Sequence, residues 1–210
     1  MSESATGRAP RTRSAAWIPI ATVLLAAVSG CGAVPTTEPA RYRIIAPQVA
    51  PVEAPPGGVL RVADPEVIAE LSGDRMHVAD GPVRLLAWRG HRFAAPIDRL
   101  VGDALVAGLR QSGVCDQVWT ALEPGDADRE LRVRVTGFHQ DERDGVWAGV
   151  VTLDITVLDA DRVPIGTAVV SAATPLDGAT PEALAVALST SLERVIGELA
   201  EDVSNRARSP

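Results

Sequence analysis

The chain has 210 residues and a formal net charge of −7, and 46% of its residues are hydrophobic. A chain this acidic is a poor partner for phosphate backbones, which argues against a nucleic-acid-binding protein. The apolar content supports a core of ordinary size and excludes disorder throughout, but only 3% of the residues are aromatic, so aliphatic side chains must build that core.

The first 30 residues have the pattern of a secretory signal peptide. Arginines precede an apolar stretch over residues 15–28, which is followed by Ser29 and Gly30. The stretch is too short to cross a bilayer of roughly 30 Å comfortably. Cys31 follows directly and resembles the cysteine of a bacterial lipobox, so we predict that residues 1–30 are removed and that Cys31 is lipidated, for instance with palmitate. The alternative is an ordinary signal peptide that contains a cysteine.

The predicted location is the bacterial cell envelope. Several acyl chains on Cys31 would hold the protein at a membrane almost permanently. Gly32 follows the cysteine, where an aspartate would favour retention in the inner membrane. We therefore expect an outer-membrane lipoprotein that faces the periplasm.

Proline-rich residues 31–57 predict an extended tether between the membrane and the domain. The segment 42–45 alternates enough to form a first strand within it. The folded domain is predicted over residues 58–204, and residues 205–210 are expected to be a disordered tail.

The domain begins with predicted strands at 59–63, 75–78 and 83–88, and Asp80-Gly81 between the last two indicates a hairpin. Residues 66–73 fit either a helical turn or a loop. Apolar residues at helical spacing predict a first helix that starts at Pro96 and is closed by Gly113.

A short strand at 116–121 and a three-strand meander over 131–172 follow, with a break in register at Gly137. Thr180 is expected to cap a second amphipathic helix, with Pro181 in its first turn. These elements predict an α+β fold, in which an antiparallel β-sheet carries both helices packed on one face.

The sequence contains no convincing catalytic or metal site. His77, His91 and His139 lack metal-site spacing and are expected at the surface or at caps. We expect neither an enzyme nor a cofactor, since P-loop and nucleophile-elbow patterns are absent from the sequence. Cys115 would have no intramolecular partner if Cys31 carries lipid, and we expect it to be buried.

A locally basic and aromatic segment follows the third predicted strand and is expected to be a loop. Its candidate contact residues, which could meet an acidic partner or a phospholipid headgroup, are Trp88, Arg89, His91, Arg92 and Phe93. The alternative is an ordinary loop between a strand and a helix. Trp147 follows a turn and is expected to pack in the core.

Several motifs, taken in order, resemble the ABC-type transport auxiliary lipoprotein family, also called PqiC-like. They are the lipobox at Cys31, Tyr42-Arg43-Ile44-Ile45, Asp74-Arg75-Met76, Phe93-Ala94-Ala95-Pro96-Ile97 and the strand from Leu131 to Phe138. Arg41 and Phe93 replace aromatic residues that are frequent in the family, and Ala95 replaces a glutamate. The resemblance covers roughly residues 42–203.

The resemblance implies a non-catalytic lipoprotein that accompanies an ABC permease, its ATPase and a protein with a mammalian-cell-entry (MCE) domain. Such systems are thought to move phospholipid or other hydrophobic molecules between membranes. Some family members form rings, so a homo-oligomeric ring is a further expected partner state. The alternatives are an assembly or regulatory lipoprotein for polysaccharide export or cell-wall synthesis and, more remotely, an envelope hydrolase.

Overall fold

The computed structural model describes residues 38–53 and 57–206, which form one sheet and two long helices. The strands are β1 (Ala40–Tyr42), β2 (Val59–Val62), β3 (Glu66–Val67), β4 (Arg75–Ala79), β5 (Leu85–Phe93), β6 (Gln117–Trp119), β7 (Arg129–Arg143), β8 (Val146–Asp159) and β9 (Pro164–Pro175). The helices are α1 (Ile97–Ser112) and α2 (Pro181–Arg206), and Ala69–Leu71 form a 3-10 turn. Within these ranges, none of the helices has both the length and the apolar character needed to span a bilayer.

The meander of β7, β8 and β9 is antiparallel, as predicted. Alternating side chains give it one apolar face, on which Leu131, Val133 and Leu153 are buried. The register of β7 against β8 shifts between Val135 and Gly137, which confirms the predicted break. A side chain at Gly137 would lie 2.9 Å from the Thr152 hydroxyl oxygen, so the close strand approach requires glycine there.

The sheet is mixed, and the predicted purely antiparallel sheet is therefore wrong. On the edge of β7 away from β8, the strands β2, β3 and β4 pair with it in succession, all parallel. β1 also pairs parallel with β5. The β4–β5 hairpin is antiparallel as expected, because a turn joins its strands. Parallel neighbours such as Leu60 and Arg129 are far apart in sequence, so no turn sequence signals their pairing.

Both predicted helices form with the expected ends. Gly113 follows α1 with a φ of 62°, the left-handed conformation that closes many helices. At the start of α2, the backbone N–H of Ala183 donates to the Thr180 hydroxyl at 3.1 Å. Pro96 immediately precedes α1, whereas Pro181 is the first residue of α2.

The apolar sides of the two helices share one core with the sheet. Leu105 and Leu109 of α1 and Leu188 and Leu192 of α2 are at most 1% exposed and belong to the same cluster as the inward residues of β7 and β8. Each such leucine contributes about 1.5–3 kcal/mol to folding through burial. The two-helix α+β arrangement is therefore confirmed.

Residues 44–52, here called the N-terminal strap, pack against both helices. The backbone N–H groups of the strap donate to helix residues in four hydrogen bonds of 2.8–3.0 Å: Ile45 to Ser189, Gln48 to Glu193, Val49 to Gln111 and Val52 to Ser112. Residues from Glu38 onward belong to the same compact unit as the sheet. The tether prediction is thus corrected here: the strap is extended, but its N–H groups and its apolar side chains find partners on the helices.

Gly108 of α1 lies where the strap and the two helices come together. A side chain at this position would lie 2.7 Å from Ile196, 3.1 Å from Val49 and 3.2 Å from Pro47. Glycine costs a helix roughly 0.5–1 kcal/mol relative to alanine. Here that cost permits the close approach of α2 and the strap.

The ambiguous residues 66–73 contain both a strand and a turn. Glu66 and Val67 pair with β7, and the 3-10 turn that follows buries Leu71 at 1% exposure. Neither feature is long enough for its periodicity to be recognised in the sequence.

Two histidines expected at the surface lie instead at the junction of β4 and β7, where His77 is buried and His139 is half-buried. His77 on β4 is 6% exposed, and its Cα partner across the parallel pairing is His139 on β7. The Nδ1 atoms of both rings are buried, and neither atom has a hydrogen-bond partner among the described residues. Burial lowers the pKa of both imidazoles below the usual value.

We predict that Gly108→Ala lowers the free energy of unfolding by about 1–3 kcal/mol, because the new methyl group overpacks the contact with Ile196 and the strap. Gly197→Ala in α2 is the matched control, since nothing lies within 4 Å of its added methyl group. The control should stabilise the protein by up to about 1 kcal/mol through helix propensity. Urea unfolding measures both, and equal effects of the two substitutions would contradict the close approach.

We also predict that stability decreases as the pH falls from about 7.5 to about 5.5. Unfolded histidines take up protons near a pKa of about 6.5, whereas His77 and His139 have lowered pKa values in the folded chain. The unfolded state then binds more protons, so the free energy of unfolding rises with pH in this window. Replacing both residues with glutamine should flatten the dependence in urea titrations; an unchanged slope would show that other groups cause it.

Candidate functional site

The predicted lipidation site, Cys31, lies outside the described residues, and its modification stays a prediction. The other cysteine, Cys115, is 7% exposed, as expected. Burial raises the pKa of the Cys115 thiol, which favours the protonated, unreactive form.

The predicted contact segment lies in the second half of β5 and not in a loop. β1 pairs along it, from Ala40 with His91 to Tyr42 with Phe93. The expected loop was wrong because β1 comes from a distant part of the chain and supplies the missing strand partner. The pairing of β5 with β4 is irregular between Arg75 and His77, and Gly90 within the irregular stretch has a φ of 73°.

Phe93 does not belong to the surface. It is fully buried, and its ring packs edge-on against Phe138 with 5.4 Å between centroids. Arg92 donates to an Asp74 carboxylate oxygen at 2.6 Å, so its charge is already paired. Arg89 is exposed. Of the five predicted contact residues, Arg89, Trp88 and His91 therefore remain the best placed for a partner.

Tyr42, His91 and Glu182 form a hydrogen-bonded cluster that joins β1, β5 and the first turn of α2. The Tyr42 hydroxyl lies 2.9 Å from Nδ1 of His91 and donates to Oε1 of Glu182 at 3.0 Å. Trp88 packs edge-on against His91 with 6.1 Å between centroids, and its indole N–H donates to Gln140. The cluster fixes the point at which the N-terminal chain joins the sheet.

The electrostatics of this cluster keep Tyr42 a donor and Glu182 an acceptor. Partial burial and the hydrogen bond to Glu182 raise the pKa of Tyr42. The Glu182 carboxylate accepts from its own backbone N–H and from Tyr42, and both interactions lower the pKa of Glu182. The arrangement orients side chains and holds the chain in place; it brings no nucleophile to a general base.

A second exposed region was missed by sequence reasoning. Trp147, predicted to pack in the core, is 37% exposed, and Val83 in the β4–β5 turn is 95% exposed. Each residue comes two positions after an Asp-Gly pair, Val83 after Asp80-Gly81 and Trp147 after Asp144-Gly145. An apolar residue so close to a turn sequence was the available signal that these side chains are exposed. The two turns line one cleft of about 630 Å³, together with Asp141 and Glu142. The described part of the chain has no group of three or more side chains placed to hold a metal ion.

Comparison with known proteins identifies a family for this architecture. The model of the ABC-type transport auxiliary lipoprotein component family matches residues 42–200, from β1 into the last turns of α2. No curated protein matches the chain.

Two solved structures share the fold. Protein XCC0632 from Xanthomonas campestris has a TM-score of 0.71 and 23% sequence identity, over 79% of this chain and 94% of its own. A second structure, of an uncharacterized protein, has a TM-score of 0.64 and 19% identity over 80% of this chain and 100% of its own. At these identities the likeness establishes the fold alone.

We predict that Tyr42→Phe loosens β1 while leaving the rest of the domain intact. The substitution removes only the hydroxyl that links His91 to Glu182. Amide hydrogen exchange should accelerate over residues 40–45 and stay unchanged in β8. Ser171→Ala removes an exposed hydroxyl that contacts Thr152, far from β1, and serves as the control. Unchanged exchange at residues 40–45 in Tyr42→Phe would show that the cluster does not hold the strand.

Proposed function

Because the chain belongs to the ABC-type transport auxiliary lipoprotein component family, we propose that it is a non-catalytic, membrane-anchored accessory subunit of an ABC transporter. The transported molecule in this proposal is a phospholipid or another hydrophobic molecule, and an MCE-domain protein is the direct partner. The observation that carries the proposal is the family match over residues 42–200.

The family match includes the strap. The matched region begins at Tyr42, so it includes the strap as well as the sheet and helices. The strap is thus part of the family's domain and not a linker in front of it. The chain available as a free tether is correspondingly shorter than the proline content suggests.

The length of the remaining tether limits where the domain can work. Between Cys31 and β1 lie residues 32–39, which reach about 30 Å at full extension. A tether over the whole of residues 31–57 would reach about 90 Å. A domain anchored at Cys31 would therefore stay beside its own membrane, and a partner from the other membrane must come to it.

The proposed mechanism is positional. The anchor keeps the domain at one membrane, the strap and the Tyr42 cluster leave only a short tether between the two, and an exposed surface docks the transporter. Arg89 lies on β5 beside this cluster and is the proposed contact for an acidic partner surface or headgroup. ATP hydrolysis is assigned to a separate ATPase subunit.

We predict that a photo-crosslinking amino acid at Arg89 captures an MCE-domain protein in intact cells. The control is the same amino acid at Asp161, which is also exposed and lies in the turn between β8 and β9. Mass spectrometry identifies the captured protein. Capture of polysaccharide-export or cell-wall proteins, or of no transporter component, would contradict the proposal.

Anchoring is tested in the same cells with Cys31→Ser. The unsubstituted chain should carry acyl chains on its N-terminal cysteine by mass spectrometry and fractionate with membranes. Cys31→Ser should lose both properties, whereas Cys115→Ser should keep them because Cys115 is buried in the domain. An unmodified N-terminus, or membrane association independent of Cys31, would refute the lipid anchor.

A further inference from the structure

Two hairpins have their turns at the same end of the sheet. β4 runs parallel to β7, with His77 opposite His139, so the turn after β4 and the turn after β7 point in one direction. Side chains from both turns line the same cleft, from Asp80 in one to Gly145 in the other. We call this end of the sheet the hairpin end.

The hairpin end carries a group of exposed apolar side chains. Their exposed fractions are 95% for Val83, 37% for Leu85, 45% for Leu86, 50% for Val146 and 37% for Trp147. Single exposed apolar residues are ordinary, but neighbouring ones that include a tryptophan mark an interaction surface. Tryptophan is also enriched where a protein meets the headgroup region of a bilayer.

The N-terminal chain approaches the domain from this same end. β5 starts at Leu85 beside the hairpin turn and runs away from it to Phe93. β1 is parallel to β5, with Ala40 opposite His91. Followed backwards from Ala40, the backbone therefore heads toward the exposed apolar group and not toward the opposite edge of the sheet.

The tether is long enough for this end to reach the membrane. About five residues of β5 separate His91 from Leu86, a distance of roughly 17 Å along the strand. Residues 32–39 can extend about 30 Å, so a lipid on Cys31 can lie level with the hairpin end. The domain cannot move farther from the membrane than this, because the strap is bound to the helices and adds no length to the tether.

We propose that the hairpin end docks onto the surface of the bilayer that holds Cys31, with Val83, Leu86 and Trp147 entering the headgroup region. The proposal rests on the lipid anchor of the proposed function. Two ion pairs lie at this end, Arg84 with Asp80 and Arg143 with Asp141, and Glu142 and Asp144 add two negative charges. Charge therefore does not draw this end to an anionic bilayer, and apolar contact provides the attraction. The short tether keeps the local concentration of lipid high, which makes even a weak contact persistent.

Docking in this way orients the domain. An anchor at Cys31 alone lets the domain rotate about the tether. A second contact at the hairpin end keeps that end of the sheet against the lipid. The turn between β8 and β9, which lies at the other end of these strands, would then point away from the anchoring membrane.

The test places an environment-sensitive nitrobenzoxadiazole fluorophore on Val83→Cys in the full lipidated chain, reconstituted into phosphatidylethanolamine–phosphatidylglycerol vesicles. Val163→Cys is the matched control, since Val163 is an exposed valine, at 55%, in the turn between β8 and β9, at the end of β8 opposite the hairpin end. The unsubstituted chain is the labelling blank, because Cys115 is buried and Cys31 is acylated. Doxyl-labelled lipids quench a fluorophore that contacts the bilayer, and aqueous iodide quenches one that does not.

The expected result is strong doxyl quenching at position 83 and severalfold less iodide quenching there than at position 163. Equal behaviour of the two positions on a chain that remains bound to vesicles would overturn the docking and leave the anchor intact. Protection from iodide without doxyl quenching would show that protein covers the hairpin end, which also overturns the proposal. A chain without acyl groups that does not bind vesicles would refute the anchor and the docking together.

Discussion

The close approach of α1, α2 and the strap at Gly108 is the constraint on which the architecture depends. No side chain fits there, because Ile196, Val49 and Pro47 already occupy the space that a methyl group would need. The approach lets the strap exchange its backbone hydrogen bonds with water for bonds to both helices. A segment rich in proline is then ordered without any secondary structure of its own.

Ordering of the strap has consequences at its N-terminal side. It delivers β1 to the edge of β5, where the Tyr42 hydroxyl ties the incoming chain to His91 and Glu182. The direction and the reach of the remaining tether follow from this parallel pairing. The protein is proposed to act by its position and not by catalysis. The direction and the length of the tether therefore decide where it can act.

The sheet combines a long antiparallel meander with short parallel strands, and the two parts differ in what holds them. β7, β8 and β9 are joined by turns and are paired over most of their length. The ladder between β4 and β7 pairs His77 with His139 and Val78 with Gln140, and this short junction carries the hairpin that ends at the exposed apolar group. The buried His77 and the half-buried His139 at this junction couple its stability to proton concentration.

The sequence by itself determined the local features: the two helices, the cap at Thr180, the glycine end at Gly113, the meander and the break at Gly137. Periodicity, caps and turns act over a few residues, so they can be recognised in one chain segment at a time. The family motifs also identified the family that the comparison later matched. Tertiary structure alone decided the parallel pairings, the docking of the strap, the burial of His77 and Phe93 and the convergence of two hairpin turns. Those features depend on contacts between residues far apart in the chain, such as Tyr42 and Glu182, and no local pattern encodes which distant segment will supply the partner.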